Sequence, residues 1–238
     1  MEKVRHEIWE GINVYHHFFP ENQYYKEKTK KNQIVLHFLA SGRGIKGDLD
    51  WWKSNSERVA TCVAIQRNGD VTTMFSSEYW AHALGIKIKV FDEYGISRKY
   101  KKYSNGKFYV SNNTDLNKGA IQLEFDSWGP LTKKNGKYYS WTNKEVPEEE
   151  VYYYPNSYRG YKYYEKLTDA QIESCRLLLI FWRDKYNIDI SYKGDKIFDV
   201  CKEALEGKEG VYLHSSYRKD KLDIGPQKEL VEMLKSLK

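Results

Sequence analysis

An apolar run that ends on a histidine, followed by a short polar loop, lies near the C-terminus of this 238-residue chain. The run covers residues 210–213 and leads into His214; the loop carries Lys221 and Asp223, and a Gly-Pro step follows at residues 225–226. A strand end and the loop after it can place His and Asp side chains on one small cation, with a lysine beside them. Zinc hydrolases need this chemistry, because they use nitrogen and oxygen ligands, an open coordination position and a positive charge for the oxyanion. Plain surface loops also contain these residue types, so the motif needs partners elsewhere in the chain.

A second histidine lies at the centre of a predicted buried strand. Residues 33–41 are β-branched and apolar around His37, and the run ends in the glycine-containing loop at residues 41–44. Such a run is typical of a buried strand. His37 can be a core histidine that is hydrogen-bonded to backbone, or a first metal ligand, since neutral imidazole is the commonest zinc donor.

A third apolar run, residues 119–125, contains one carboxylate. Strand alternation places Glu124 on the same face as Gln122 and Ala120. An isolated strand glutamate usually points to solvent. With apolar neighbours, Glu124 can instead be a partly buried general base whose pKa is raised.

Six segments occur in the order and approximate spacing of one protein family: IVLHFLAS, VATCVAIQRNGDVTTMF, WAHALG, NKGAIQLEF, LTDAQIESCRLLL and HSSYRKDKLDIGP. From about Lys31 to the C-terminus, the chain resembles the zinc-dependent N-acetylmuramoyl-L-alanine amidases of the amidase-2 type. That family includes many phage endolysins and shares a fold with peptidoglycan recognition proteins. The Lys-x-Asp-x-Gly-Pro ending is the most specific part of the resemblance.

The resemblance implies roles for five residues. It implies that His37, His214 and Asp223 bind one zinc ion, that Glu124 is the catalytic base, and that Lys221 stabilises the oxyanion. The implied reaction is hydrolysis of the amide bond between N-acetylmuramic acid and L-alanine in peptidoglycan.

The sequence departs from the family pattern at two places. Phe38 stands where the family often has a second histidine, and Thr61-Cys62 stands where it often has Tyr-His. Some members use that tyrosine in catalysis, so Thr61 leaves Glu124 as the better candidate. We expect Cys62 to be a buried small residue, with a substitute zinc ligand as the alternative, because a thiolate binds zinc well.

Two further residues are expected on the substrate side of the site. His82, in the segment WAHALG, matches a family histidine near the groove, and Arg159 is expected to line the groove in the family manner. The stretch around Arg159 is dense in tyrosine. Its rings can stack on sugar faces, or they can cover the edge of the core.

The predicted architecture is an α/β fold, with a mixed central β-sheet flanked by helices in a single amidase domain over residues 1–238. Residues 1–30 are predicted to form an N-terminal helical segment, and residues 97–118 and 129–164 are read as insertions, the first of which can form a hairpin. A capping box at residues 168–171 predicts the start of a long helix, and a shorter one is expected over Lys196–Leu205. No linker or repeat marks a separate wall-binding domain.

Composition limits the setting of the protein. No run approaches the ~18 apolar residues of a membrane helix, and the N-terminus lacks the apolar stretch of a signal peptide. Three cysteines form an odd, sparse set that suits reduced thiols. We therefore expect an endolysin-like protein that is made in the host cytoplasm and acts on the cell wall after release, without membrane insertion. A monomer is assumed.

Two other function classes stay open. The first is a catalytically silent peptidoglycan-binding relative, which has no need of a metal triad. The second is a nucleic-acid binder, since the net charge is +6 and lysines alternate with tyrosines that could stack on bases. The amidase hypothesis requires no nucleic-acid partner, and salt-dependent retention on single-stranded DNA would separate the two.

Overall fold

The computed structural model describes residues 5–41 and 43–238. The strands in these residues are β1 (Arg5–Trp9), β2 (Ile12–His16), β3 (Gln33–Phe38), β4 (Val63–Ile65), β5 (Val71–Thr73), β6 (Tyr100–Lys102), β7 (Phe108–Val110), β8 (Ala120–Phe125), β9 (Pro130–Lys134), β10 (Lys137–Tyr139), β11 (Glu145–Val146), β12 (Val151–Tyr158), β13 (Tyr161–Glu165) and β14 (Gly210–Leu213). The α-helices in the same residues are α1 (Lys46–Ser54), α2 (Ile88–Glu93), α3 (Asn112–Gly119), α4 (Asp169–Tyr186), α5 (Lys202–Leu205) and α6 (Lys228–Ser236). Within this described part of the chain, no helix has both the length and the apolar character needed to cross a membrane.

Seven of the described strands form the main sheet, in the order β1-β2-β5-β4-β8-β3-β14. Strands β4, β8, β3 and β14 run parallel to one another, whereas β1–β2 and β4–β5 are antiparallel pairs. The sheet is therefore mixed and has flanking helices, which confirms the predicted fold class.

The parallel block determines where the candidate site lies. In the register of β3 and β8, His37 is paired with Glu124, and in that of β14 and β3, Leu213 is paired with Leu36. His214 directly follows Leu213 and therefore lies beside His37 at the end of the strand. The carboxyl ends of parallel strands meet at one edge of a sheet, so three residues from distant parts of the chain converge there.

The core runs through the main sheet and the long helix α4. Strand β3 is buried along its length up to His37, as expected for a strand with parallel neighbours on both sides. The predicted capping box of α4 is confirmed, because Thr168 Oγ1 accepts from the Gln171 backbone N–H and the Gln171 side chain accepts from the Thr168 N–H. Residues Ile172 and Trp182 then face the core.

The N-terminal helical prediction is wrong for the described residues of that segment. β1 and β2 form an antiparallel hairpin in which Trp9 pairs with Ile12. Glu10 and Gly11 between them both have positive φ, +48° and +79°, and this two-residue turn matches the twist of a β-hairpin. Apolar spacing suggested a helix, but the Gly turn and the pairing of β2 with β5 favour the strand.

The predicted shorter helix over 196–205 is also interrupted. A 3-10 turn covers Asp195–Phe198, extended residues follow, and α5 begins only at Lys202. Tertiary hydrogen bonds occupy the groups that a continuous helix would use: the Tyr158 hydroxyl donates to Phe198 O, and Cys201 N donates to Ser216 O.

The two segments read as insertions have different structures. Residues 97–118 contain the expected hairpin, β6–β7, and then most of α3, which leads directly into β8. Residues 129–164 lie within a second, antiparallel sheet of strand order β11-β10-β9-β13-β12. That sheet has a small apolar cluster of its own, built on Trp128, Leu131, Tyr138 and Val146.

Candidate metal centre

Three donor atoms converge at the carboxyl edge of the parallel strands. The Nδ1 atoms of His37 and His214 are 3.0 Å apart, and Asp223 Oδ2 lies 3.4 Å from the first and 3.0 Å from the second. All three residues are buried. A tetrahedral zinc ion with ligands at 2.0–2.1 Å needs donors about 3.3 Å apart. The three residues therefore fit a zinc ion by both donor type and spacing.

The hydrogen bonds on the far side of each imidazole decide which nitrogen is free. His37 Nε2 is 2.8 Å from Gln122 Oε1, and His214 Nε2 is 3.0 Å from the backbone oxygen of Leu84. Both partners are acceptors, so both Nε2 atoms carry the proton. Each Nδ1 then carries a lone pair that points toward the other histidine and Asp223. A metal ligand requires this orientation.

The protonation states of the three residues make the cluster rich in hydrogen-bond acceptors. Burial, reinforced by His214, lowers the pKa of His37 to about 4, so this imidazole is neutral at neutral pH. Burial alone would raise the pKa of Asp223; a proton on His214 or His37 acts in the opposite direction and lowers it, as any cation between these atoms would. Lone pairs that face one another around a carboxylate favour a bound cation.

Glu124 lies in the same cavity but outside the ligand cluster. The cavity has a volume of about 700 Å³ and is lined by the three candidate ligand residues, Glu124 and Lys221. Glu124 is 8% exposed, and its Oε2 has no hydrogen-bond partner among the residues the structure describes. Burial, together with Asp223 and Asp48, raises the pKa of Glu124 well above its ordinary value, against the influence of Lys221. A carboxyl with a raised pKa and a free oxygen suits proton transfer.

The structure places His82 and Cys62, two other residues considered from the sequence, away from the candidate ligand cluster. His82 packs edge-on against Tyr25 and Trp80 and bonds the Tyr25 hydroxyl at 3.3 Å; in the described part of the chain it does not line the cavity. Cys62 is buried, its thiol donates to Gln122 O at 3.3 Å, and burial raises the pKa of the thiol to about 11. The described metal cluster does not include it.

Arg159 contacts the metal loop from outside. Its guanidinium donates to Lys219 O at 2.9 Å and to Ser215 O at 3.2 Å, and it pairs with Asp199. Ser215 directly follows the candidate ligand His214, so Arg159 fixes the backbone of this loop. Its predicted contact with substrate stays a prediction.

Sequence reasoning missed several residues of the site. Asp48, on the first turn of α1, lines the cavity and accepts from Ser41 Oγ at 2.6 Å. Trp141 lines it from the second sheet, with its indole N–H donating to Ala40 O at 2.6 Å. Trp51, on α1, also lines it. No local pattern distinguishes these positions, because each depends on long-range packing.

No protein-family model and no curated protein matches the sequence. Among solved structures, the chain is similar to PlyL, with 13% identity and a TM-score of 0.47 over 91% of this chain and 88% of that one. It is similar to the Staphylococcus aureus hydrolase AmiA, with 12% identity and a TM-score of 0.45 over 96% and 83% of the two chains. It is also similar to the N-acetylmuramoyl-L-alanine amidase LysC from Clostridium intestinale URNW, with 10% identity and a TM-score of 0.41 over 92% and 93%. One of these similar structures is thus an N-acetylmuramoyl-L-alanine amidase.

Proposed function

We propose that this protein hydrolyses the amide bond between N-acetylmuramic acid and L-alanine in peptidoglycan, with one zinc ion held by His37, His214 and Asp223. One observation carries the proposal: three donor atoms within 4.8 Å of one another open onto a cavity that also contains Glu124 and Lys221. The family motifs in the sequence supply the identity of the substrate.

The chemistry divides between the ion and the chain. When bound, zinc supplies a Lewis acid and makes hydroxide available at neutral pH. Glu124 accepts a proton from the attacking water and delivers it to the departing nitrogen of L-alanine, so that the amide becomes a carboxylate and an amine. Its raised pKa makes the ionised Glu124 a stronger base than an ordinary glutamate. Lys221 provides a positive charge for the oxygen that becomes negative.

The aromatic lining of the cavity suits a glycan substrate. Two tryptophans on its wall present large exposed areas, 55% for Trp51 and 72% for Trp141. Flat aromatic surfaces of this kind pack well against the apolar faces of sugar rings. The hydrogen bond from the Trp141 indole to Ala40 holds that ring in place before substrate binds.

We propose the biological setting that the sequence analysis indicated. The protein is made in a host cytoplasm and acts on the cell wall after release, as an endolysin does. Peptidoglycan is its only proposed partner, and a monomer suffices because the described site is built from a single chain.

Metal analysis combined with mass spectrometry of digested muropeptides tests the proposal. We expect close to one zinc per chain, and products in which L-alanine carries a new free amine while the muramic acid carboxylate is free. The His214→Ala variant is the control and should give neither zinc nor product. Zinc binding and peptidoglycan binding without any new amine would identify a catalytically silent relative instead.

A further inference from the structure

A buried side-chain amide is hydrogen-bonded to the outer partners of both candidate histidine ligands. Asn117, in the last turn of α3, is fully buried. Its Oδ1 accepts three hydrogen bonds, from Ala83 N at 2.9 Å, Leu84 N at 3.2 Å and Gln122 Nε2 at 2.9 Å. Its Nδ2 donates to Asn113 O at 2.8 Å. All four bonds are made inside the protein.

These bonds fix the proton position on the first histidine. Two backbone N–H groups, of Ala83 and Leu84, can be satisfied only by an oxygen, so Asn117 cannot be flipped. Because Asn117 Oδ1 can only accept, Gln122 must turn its Nε2 toward it. The Gln122 oxygen then faces His37 Nε2. His37 therefore carries its proton on Nε2, and its Nδ1 is free to bind a metal.

A second route runs from the same asparagine to the other histidine. The Leu84 peptide is held on one side, because its N–H donates to Asn117 Oδ1. Its carbonyl oxygen accepts from His214 Nε2 at 3.0 Å. The position of this carbonyl decides where the second imidazole ring lies and which of its nitrogens carries the proton.

We propose that Asn117 is a positioning residue for the whole metal site, since it sets the tautomer and the ring orientation of both histidine ligands through Gln122 and Leu84. The inference rests on the zinc site of the proposed function. Loss of a hydrogen-bond partner of a ligating histidine typically weakens metal binding by about 10–100-fold, and Asn117 positions two such partners. Asn117 should give a loss in this range, because both ligands depend on it.

Two isosteric variants of neighbouring asparagines test the proposal in the full chain. Asn117→Leu removes the shared amide. Asn112→Leu is the matched control: Asn112 is also buried on α3, accepts from Lys99 N at 2.7 Å and donates to Ser97 O at 3.0 Å, but none of these bonds leads to a ligand. Zn²⁺ affinity is measured by competition with a chelator. We expect a loss of about 10–100-fold in Asn117→Leu and no change in Asn112→Leu.

A spectroscopic readout separates positioning from general loss of stability. Nitrogen NMR of the metal-free proteins reports which imidazole nitrogen carries the proton. We expect both histidines to leave the pure Nε2–H form in Asn117→Leu, and His37 alone to do so in Gln122→Leu. Should Asn117→Leu fail to fold, Gln122→Leu still decides the matter, because an unchanged His37 tautomer there would overturn the proposal.

Equal zinc affinity and equal tautomers in the two asparagine variants would overturn the role of Asn117. The tautomer measurement needs neither metal nor turnover. If both histidines of the wild type carry the proton on Nε2 but the protein releases no amine from peptidoglycan, the proposed function is wrong and the positioning role is unaffected.

Discussion

Replacing Glu124 with glutamine should have opposite effects on turnover and on stability. Removing a general base usually lowers turnover by 10²–10⁴-fold, about 3–5 kcal/mol in the transition state. We expect the upper part of this range, because the other non-ligand carboxylates on the described cavity wall are already engaged. Asp48 accepts from Ser41, and Asp220 holds Arg218 through two hydrogen bonds of 3.0 and 2.6 Å. Zinc content should stay unchanged, since Glu124 is not in the ligand cluster.

The stability effect follows from the direction of the pKa shift. The folded-state pKa of Glu124 lies above its ordinary value of 4.5, so the metal-free wild type loses stability as pH rises through the folded pKa. Glutamine does not titrate and avoids that loss. Metal-free Glu124→Gln should therefore be more stable than wild type at about pH 8, and the difference should disappear below about pH 4.

Urea unfolding of the chelated proteins at the two pH values measures stability, and release of the alanine amine from purified peptidoglycan measures turnover. Glu149→Gln, which changes an exposed glutamate in the same way, is the control and should alter neither. Full turnover in Glu124→Gln would refute its role as base. A lower stability than wild type at the higher pH would refute the argument from burial.

Three further predictions concern the loop that follows β14. Asp223→Ala should lose zinc, and added zinc should no longer raise its melting temperature, whereas zinc at about 100 times the Kd should stabilise the wild type by about 2.7 kcal/mol. Lys221→Ala should lower kcat by about 10²–10³-fold with a smaller change in KM, because the oxyanion forms only in the transition state; an effect confined to KM in steady-state assays would argue against this role. Arg159→Ala should lower the free energy of unfolding by about 1–3 kcal/mol, since the carbonyls of Ser215 and Lys219 lose a charged donor. A raised KM with unchanged unfolding would instead support its predicted contact with substrate.

The sequence predicted the parts of the site that depend on local patterns. His37 and Glu124 lie in apolar runs whose alternation identifies strands, and the Lys-x-Asp-x-Gly-Pro segment begins seven residues after His214. The structure adds the register that pairs His37 with Glu124.

The missed features depend on groups that are distant in sequence. The N-terminal hairpin depends on a turn of two positive-φ residues and on pairing with β5, neither of which apolar spacing reveals. Asn117 looks like an ordinary polar helix residue until Ala83, Leu84 and Gln122 are placed around it. The predicted continuous helix does not form, because the Tyr158 hydroxyl, from the second sheet, donates to the carbonyl of Phe198.

The second sheet has a consequence for attempts to shorten this protein. Strand β12 rests against the loop that carries the candidate metal ligands: the hydroxyls of Tyr158 and Ser215 are hydrogen-bonded at 3.1 Å, and a Cβ on Gly225 would collide with Tyr154. Gly225 follows Asp223 by two residues, and no larger side chain fits between it and the tyrosines. Excising residues 129–164 to obtain a minimal catalytic unit would thus take away the wall behind the ligand loop, and an engineered truncation would have to rebuild that support.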